Sequence, residues 1–72
     1  MQRMLLYSLE HLRLIRIIWM DEGGTLRQGN IQVTALSEES VTFQLMRPRR
    51  TLTIPTAAIL SADFRKGDEG DG

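Results

Sequence analysis

The chain opens on a helical hydrophobic pattern and changes period near residue 14. In residues 1–12, Leu5, Leu9 and Leu12 recur at i, i+4 and i+7, Met1 extends the stripe, and no β-branched residue occurs before Ile15. That spacing places apolar side chains on one face of a helix. It predicts one amphipathic helix over 1–12, too short to persist alone in water. Its stripe therefore has to pack on the rest of the protein or on a neighbour.

From Ile15 to Ile59 the chain holds both valines, all six threonines and all six isoleucines. Such side chains are stiff at χ1 and suit a pleated surface. Asp21-Glu22-Gly23-Gly24, Ser37-Glu38-Glu39-Ser40 and Arg47-Pro48-Arg49 punctuate the region as turns. Short strands at that spacing predict an antiparallel sandwich or barrel rather than βαβ units.

Five strands follow from the alternation. The first, 14–20, carries Ile15, Ile17 and Trp19 on one face and Leu14, Ile18 and Met20 on the other. Apolar on both sides, it is expected to be covered twice, by a barrel interior and by the N-terminal helix. The second, 26–36, puts Ile31, Val33 and Ala35 inward, and Gly29 marks a bulge or bend. The third, 41–46, turns Val41, Phe43 and Leu45 inward. The fourth, 50–54, turns Leu52 and Ile54 inward and is ended by Pro55, which cannot donate to a ladder. Pro55-Thr56-Ala57-Ala58 reads as one 3₁₀ turn, and 59–64 is the last strand. The predicted fold class is mainly β, a small five-stranded SH3-like or Sm-like barrel with an N-terminal helix. It occupies residues 1–66 as a single domain, and 67–72 are expected to be a disordered acidic tail.

Composition changes this picture in two ways. The 72 residues contain no Cys, so neither disulfides nor Cys-based zinc sites staple the fold. A chain this short builds one modest core and has little left for a deep catalytic cleft. Self-association is a common remedy for such marginal size. The net charge of zero divides unevenly. Residues 67–72 hold Asp68, Glu69 and Asp71 and no base, so residues 1–66 carry nine bases against six acids, a net of about +3. Eight of the nine bases are Arg, whose planar fork suits phosphates and carboxylates. No stretch reads as a signal peptide or membrane span, so the expected location is cytoplasmic.

The candidate chemistry is an anion site. Arg47, Arg49 and Arg50 crowd one hairpin tip, and Arg27 is expected nearby on the second strand. Guanidinium groups so close repel, and a phosphate or carboxylate partner relieves the repulsion. The alternative is a solvated turn whose arginines pair with Glu38, Glu39 or the acidic tail. Trp19 and Phe43 fall on core faces rather than on a stacking platform. His11 is the only histidine and has no spaced partners for a metal. Asp21-Glu22 suits a turn better than acid–base work. Ser8 and His11 share one helix without a placed third group, so no Ser–His–Asp arrangement forms. No metal, cofactor or catalytic set is implied, and the chain reads as a binding module and not an enzyme. Its expected partners are nucleic acid or an acidic protein, with a homo-oligomer as the structural alternative and no membrane partner.

The stretch from Leu14 to Gly24, Leu14-Ile15-Arg16-Ile17-Ile18-Trp19-Met20-Asp21-Glu22-Gly23-Gly24, resembles the opening of WYL domains. There a short helix leads into an apolar-x-apolar-x-aromatic strand and an acidic, Gly-containing turn. Arg50-Thr51-Leu52-Thr53-Ile54 and Ile59-Leu60-Ser61-Ala62 are similar to that family's closing segment, so the likeness spans roughly 5–64. YolD-like proteins share much of the pattern. Both resemblances imply an Sm-like or SH3-like barrel. The first also implies a bacterial ligand-sensing or nucleic-acid-related role. The chain departs from the family where Thr42-Phe43-Gln44-Leu45 stands in place of the Trp-Tyr-Leu signature, and where Ala58 replaces the basic residue before the closing Ile59.

Overall fold

The computed structural model describes residues 2–64; Met1 and residues 65–72, which include the end of the expected domain and the acidic segment 67–72, lie outside the described residues. The element order is helix α1 (Gln2–His11), strands β1 (Ile15–Met20), β2 (Leu26–Leu36), β3 (Ser40–Met46) and β4 (Arg49–Pro55), a 3₁₀ turn η1 (Thr56–Ala58) and strand β5 (Ile59–Phe64). The five strands form one open antiparallel sheet in the order β4-β3-β2-β1-β5. No helix is long and apolar enough to cross a membrane among the described residues.

One apolar cluster holds the molecule together. It gathers Leu5 from α1, Ile15, Ile17 and Trp19 from β1, Ile31 and Val33 from β2, Val41 and Phe43 from β3, and Ile59 from β5. The predicted inward rows of β1 and β3 are therefore the observed ones. Leu52 and Ile54 of β4 pack against the cluster from its edge. Trp19 and Phe43 meet edge to face with ring centroids 5.4 Å apart, a geometry that adds quadrupole attraction to area burial.

Several expectations are corrected. The helix stops at His11, and Leu12 takes a left-handed φ of 53°. The Arg13 amide closes the end by donating to the Ser8 carbonyl at 3.2 Å. The chain turns away at this point, so Leu12 is 71% exposed and the stripe runs through Leu5 and Ser8 instead. β1 is not covered on both sides. Because Leu5 joins the same cluster as Ile15 and Ile17, α1 lies on the core side, while Ile18 is half-buried and Met20 exposed.

The bend in β2 is also elsewhere. Its ladder with β1 runs unbroken through Gly29, opposite Ile17. The absent side chain there admits Leu45, whose Cδ2 would sit 3.4 Å from a Cβ. The irregularity falls at Thr34, between Val33 and Ala35 in the pairing with β3. One extra residue reverses the alternation, so Ala35 is exposed and Leu36 turns toward the core. Pro55 is the last residue of β4, opposite Ser40, rather than the first beyond it.

Turns fix the ends. Gly24 takes a φ of 81° between β1 and β2, a conformation natural to glycine. At the other end, Thr56 of η1 donates its amide to the Glu39 carbonyl and its hydroxyl to the Glu38 carbonyl, both at 3.0 Å. The crossing from β4 to β5 is thereby tied to the β2–β3 turn.

Candidate anion-binding site

The β3–β4 hairpin closes on the pair Met46 and Arg49, which leaves Arg47 and Pro48 as its tip. Pairing then separates the arginines by face. Arg50 lies opposite Leu45, in the row next to Phe43 and Leu52, so it faces the core side of the sheet. Arg49 lies opposite Met46 and faces away. On β2, Arg27 is the partner of the buried Trp19 and so shares its face. The register thus brings Arg27, Arg47 and Arg50 to one end of the core side.

There they line a cleft of about 340 Å³ with Trp19, Asp21, Leu45, Pro48 and Leu52. Three of the four arginines singled out from the sequence are brought together, and Arg49 is set apart. All four side chains are exposed. The floor is apolar and the rim cationic, an arrangement suited to an anion carrying an apolar body.

Asp21 is the member that sequence reasoning read only as a turn residue. One oxygen, Oδ1, accepts the Gly23 amide at 3.0 Å and the Thr25 amide at 2.9 Å, while Oδ2 accepts Arg27 Nε at 2.9 Å. One carboxylate therefore shapes the turn and aims a cation. The Thr25 amide above all, then the Arg27 guanidinium and the Gly23 amide, hold the Asp21 carboxyl below the ordinary carboxylate range. The signal in sequence was the spacing Asp21-x-Gly23-x-Thr25-x-Arg27, an Asx-type turn followed by a cation on the same strand face.

Asp21–Arg27 is the one ion pair among the described residues. Glu38 and Glu39 stand at the β2–β3 turn, at the far end of β3 from the arginines, roughly 20 Å along a strand of seven residues. They are not partners of the tip. Counting three guanidinium groups against one carboxylate, the cleft carries a net charge of about +2. His11 is exposed at the end of α1, its ring 5.0 Å from that of Tyr7.

A pH dependence follows from Asp21. Its depressed folded-state pKa means that its stabilising contribution is present above the unfolded carboxylate's pKa and is lost as pH falls through the folded one. Asp21→Ala is expected to lower the urea midpoint at neutral pH, with the gap from the parent narrowing in acid. An equal gap at both pH values counts against the carboxylate's role.

No protein-family model, curated protein or solved structure matches the chain.

Proposed function

We propose that the protein is a small anion-binding module, not an enzyme, built on an SH3-like or Sm-like barrel and taking a polyanion of the nucleic-acid type. Arg27, Arg47 and Arg50 contact the anion, and Arg49 extends the positive surface on the neighbouring face. The resemblance to WYL barrels agrees with such a role in regulation. Support for the barrel comes from the strand order, from η1 joining the two edge strands, and from β4 and β5 both delivering apolar residues to one interior.

The observation that carries the function is the convergence of three arginines, from β2, the hairpin tip and β4, on one cleft with an apolar floor. Surface charge spread at random does not require such register. The test is heparin binding at low and moderate salt. The parent is expected to bind with an affinity that falls steeply with salt, through counterion release. Arg47→Glu with Arg50→Glu is expected to weaken binding by at least about tenfold and to flatten the salt slope by about 2. Arg49→Glu alone is expected to do less. Absence of binding at low salt, or affinity unmoved by the double variant, overturns the reading.

A second reading, a module that docks to a partner or to its own copies, is favoured by a groove of about 700 Å³. It runs along the edge strand β4 and is walled by Met20, Leu52, Ile54, Pro55, Ala57 and Ala58. Light scattering across a concentration series tests the self-association half of this reading, which a strict monomer removes.

A further inference from the structure

The arginine cleft does not end at the hairpin tip. Arg47, Gln28 and Leu45 line it and also line a second cleft of about 570 Å³, so the two meet around the end of the sheet. Gln28 and Asn30 of the second cleft are the cross-strand partners of Ile18 and Arg16. Those residues flank the buried Ile17 on β1, so Gln28 and Asn30 face away from the core. Met46, opposite Arg49, completes the wall on the same outer face. Arg49, set apart from the first cleft, therefore shares its face with the second.

The second cleft is lined by amides where the first has guanidinium groups. Gln28 Oε1 accepts Arg16 Nη2 at 2.8 Å, and Arg16 is itself half-buried. That bond holds the carbonyl end of the amide on a cation and leaves the NH₂ end to a ligand. The exposed Asn30 offers both donors and an acceptor, and Arg47 offers donors only. Leu14 and Met46 add apolar surface against which a planar ring can lie. The volume is that of clefts seating small ligands, about 300–1,000 Å³. A simple polyanion such as heparin has no ring to lay there. A nucleic-acid strand does, because each phosphate carries a base beside it. In a duplex that base is paired and stacked, whereas a single strand can splay it out.

We propose that the cleft beside Gln28 and Asn30 is a base pocket, and that the ligand is single-stranded nucleic acid bearing keto bases: guanine, thymine or uracil. This inference rests on the reading of the arginine cleft as an anion site. Arg27, Arg47 and Arg50 hold backbone phosphates, which positions the strand without reading it. Gln28 and Asn30 read the base. The Gln28 NH₂ and the Arg47 guanidinium are donors, so the base edge has to bring acceptors. Thymine and uracil bring a carbonyl on either side of the ring, and guanine brings O6 and N7. The amino group of cytosine or adenine, turned the same way, sets donor against donor.

The experiment measures binding of oligo-thymidine, oligo-cytidine of equal length, and heparin at one low salt concentration. The two oligonucleotides carry the same charge and are both weakly stacked pyrimidine strands, so a difference between them reports the base edge. Oligo-thymidine is expected to bind about fivefold tighter or more. Gln28→Ala with Asn30→Ala is expected to bring that ratio near one while heparin affinity stays within about twofold, since no charge is removed. In the parent, the side-chain NH₂ signals of Gln28 and Asn30 in nitrogen-correlated spectra are expected to move on adding oligo-thymidine and much less on adding heparin, a readout that needs no variant. Equal affinity for the two oligonucleotides, or NH₂ signals that stay put while oligo-thymidine binds, overturns this inference alone. Failure of the parent to bind heparin and both oligonucleotides overturns the anion-site reading and this inference with it.

Discussion

Phe43→Ala is expected to cost the protein a large share of its stability. Phe43 is fully buried at the centre of β3, paired across the sheet with Val33 on one side and Leu52 on the other, with Trp19 against its ring. Truncating a buried phenylalanine costs about 3–5 kcal/mol, part lost transfer free energy and part the cavity left behind. A domain of this length is stable by only about 4–11 kcal/mol in total. The substitution therefore removes between about a quarter and all of the stability. Neighbours cannot close the gap easily, since Val33, Val41 and Ile17 are short, branched and held by the ladder. Phe43→Leu keeps most of the volume and is expected to cost about 1–2 kcal/mol. Urea unfolding followed by Trp19 fluorescence measures both, because Trp19 itself reports the packing lost. A drop below about 1 kcal/mol for Phe43→Ala is incompatible with the core described.

The strands were legible because alternation is a direct imprint of a half-buried sheet. Ile15, Ile17 and Trp19, or Val41 and Phe43, show the same period in sequence and in burial. Gly29 misled because glycine in a strand has two meanings, a bend or a close approach, and here Leu45 lies over it. The actual irregularity at Thr34 has no compositional mark, since a bulge of the ordinary kind needs no special residue. At the site, Arg27, Arg47 and Arg50 were legible as residue types, but their meeting depends on register. Arg49 differs from Arg50 only by one step along a strand, and that step puts it on the opposite face. Asp21 was legible as a turn former; that the same carboxylate also holds Arg27 required the turn's three-dimensional path.

The least legible residue is the one whose loss carries the second large effect. Ser8→Ala is expected to destabilise the protein by about 2–3 kcal/mol, more than its small size suggests. The β1–β2 ladder begins at Ile15 opposite Ile31, and two steps further the same register would set Arg13 opposite Val33. β1 does not extend that far, because the chain has just left α1. The Ser8 hydroxyl fills the place of the missing strand: it accepts the Val33 amide at 2.9 Å and donates to the Arg13 carbonyl at 2.6 Å. The side chain and Val33 are fully buried, so water cannot take over the bond to the Val33 amide at low cost. Alanine leaves a buried amide without an acceptor and a carbonyl without its donor. It also cuts the polar link that docks α1 on β2 beside Leu5. Hydrogen exchange distinguishes this account from a simple loss of helix propensity, which alanine would in fact improve. The Val33 amide is expected to lose protection out of proportion to the global change, together with amides of α1, while those of Phe43 and Leu52 follow the global stability. A Ser8→Ala variant within about 0.5 kcal/mol of the parent, with the Val33 amide still protected, would show that the hydroxyl is not what joins helix to sheet.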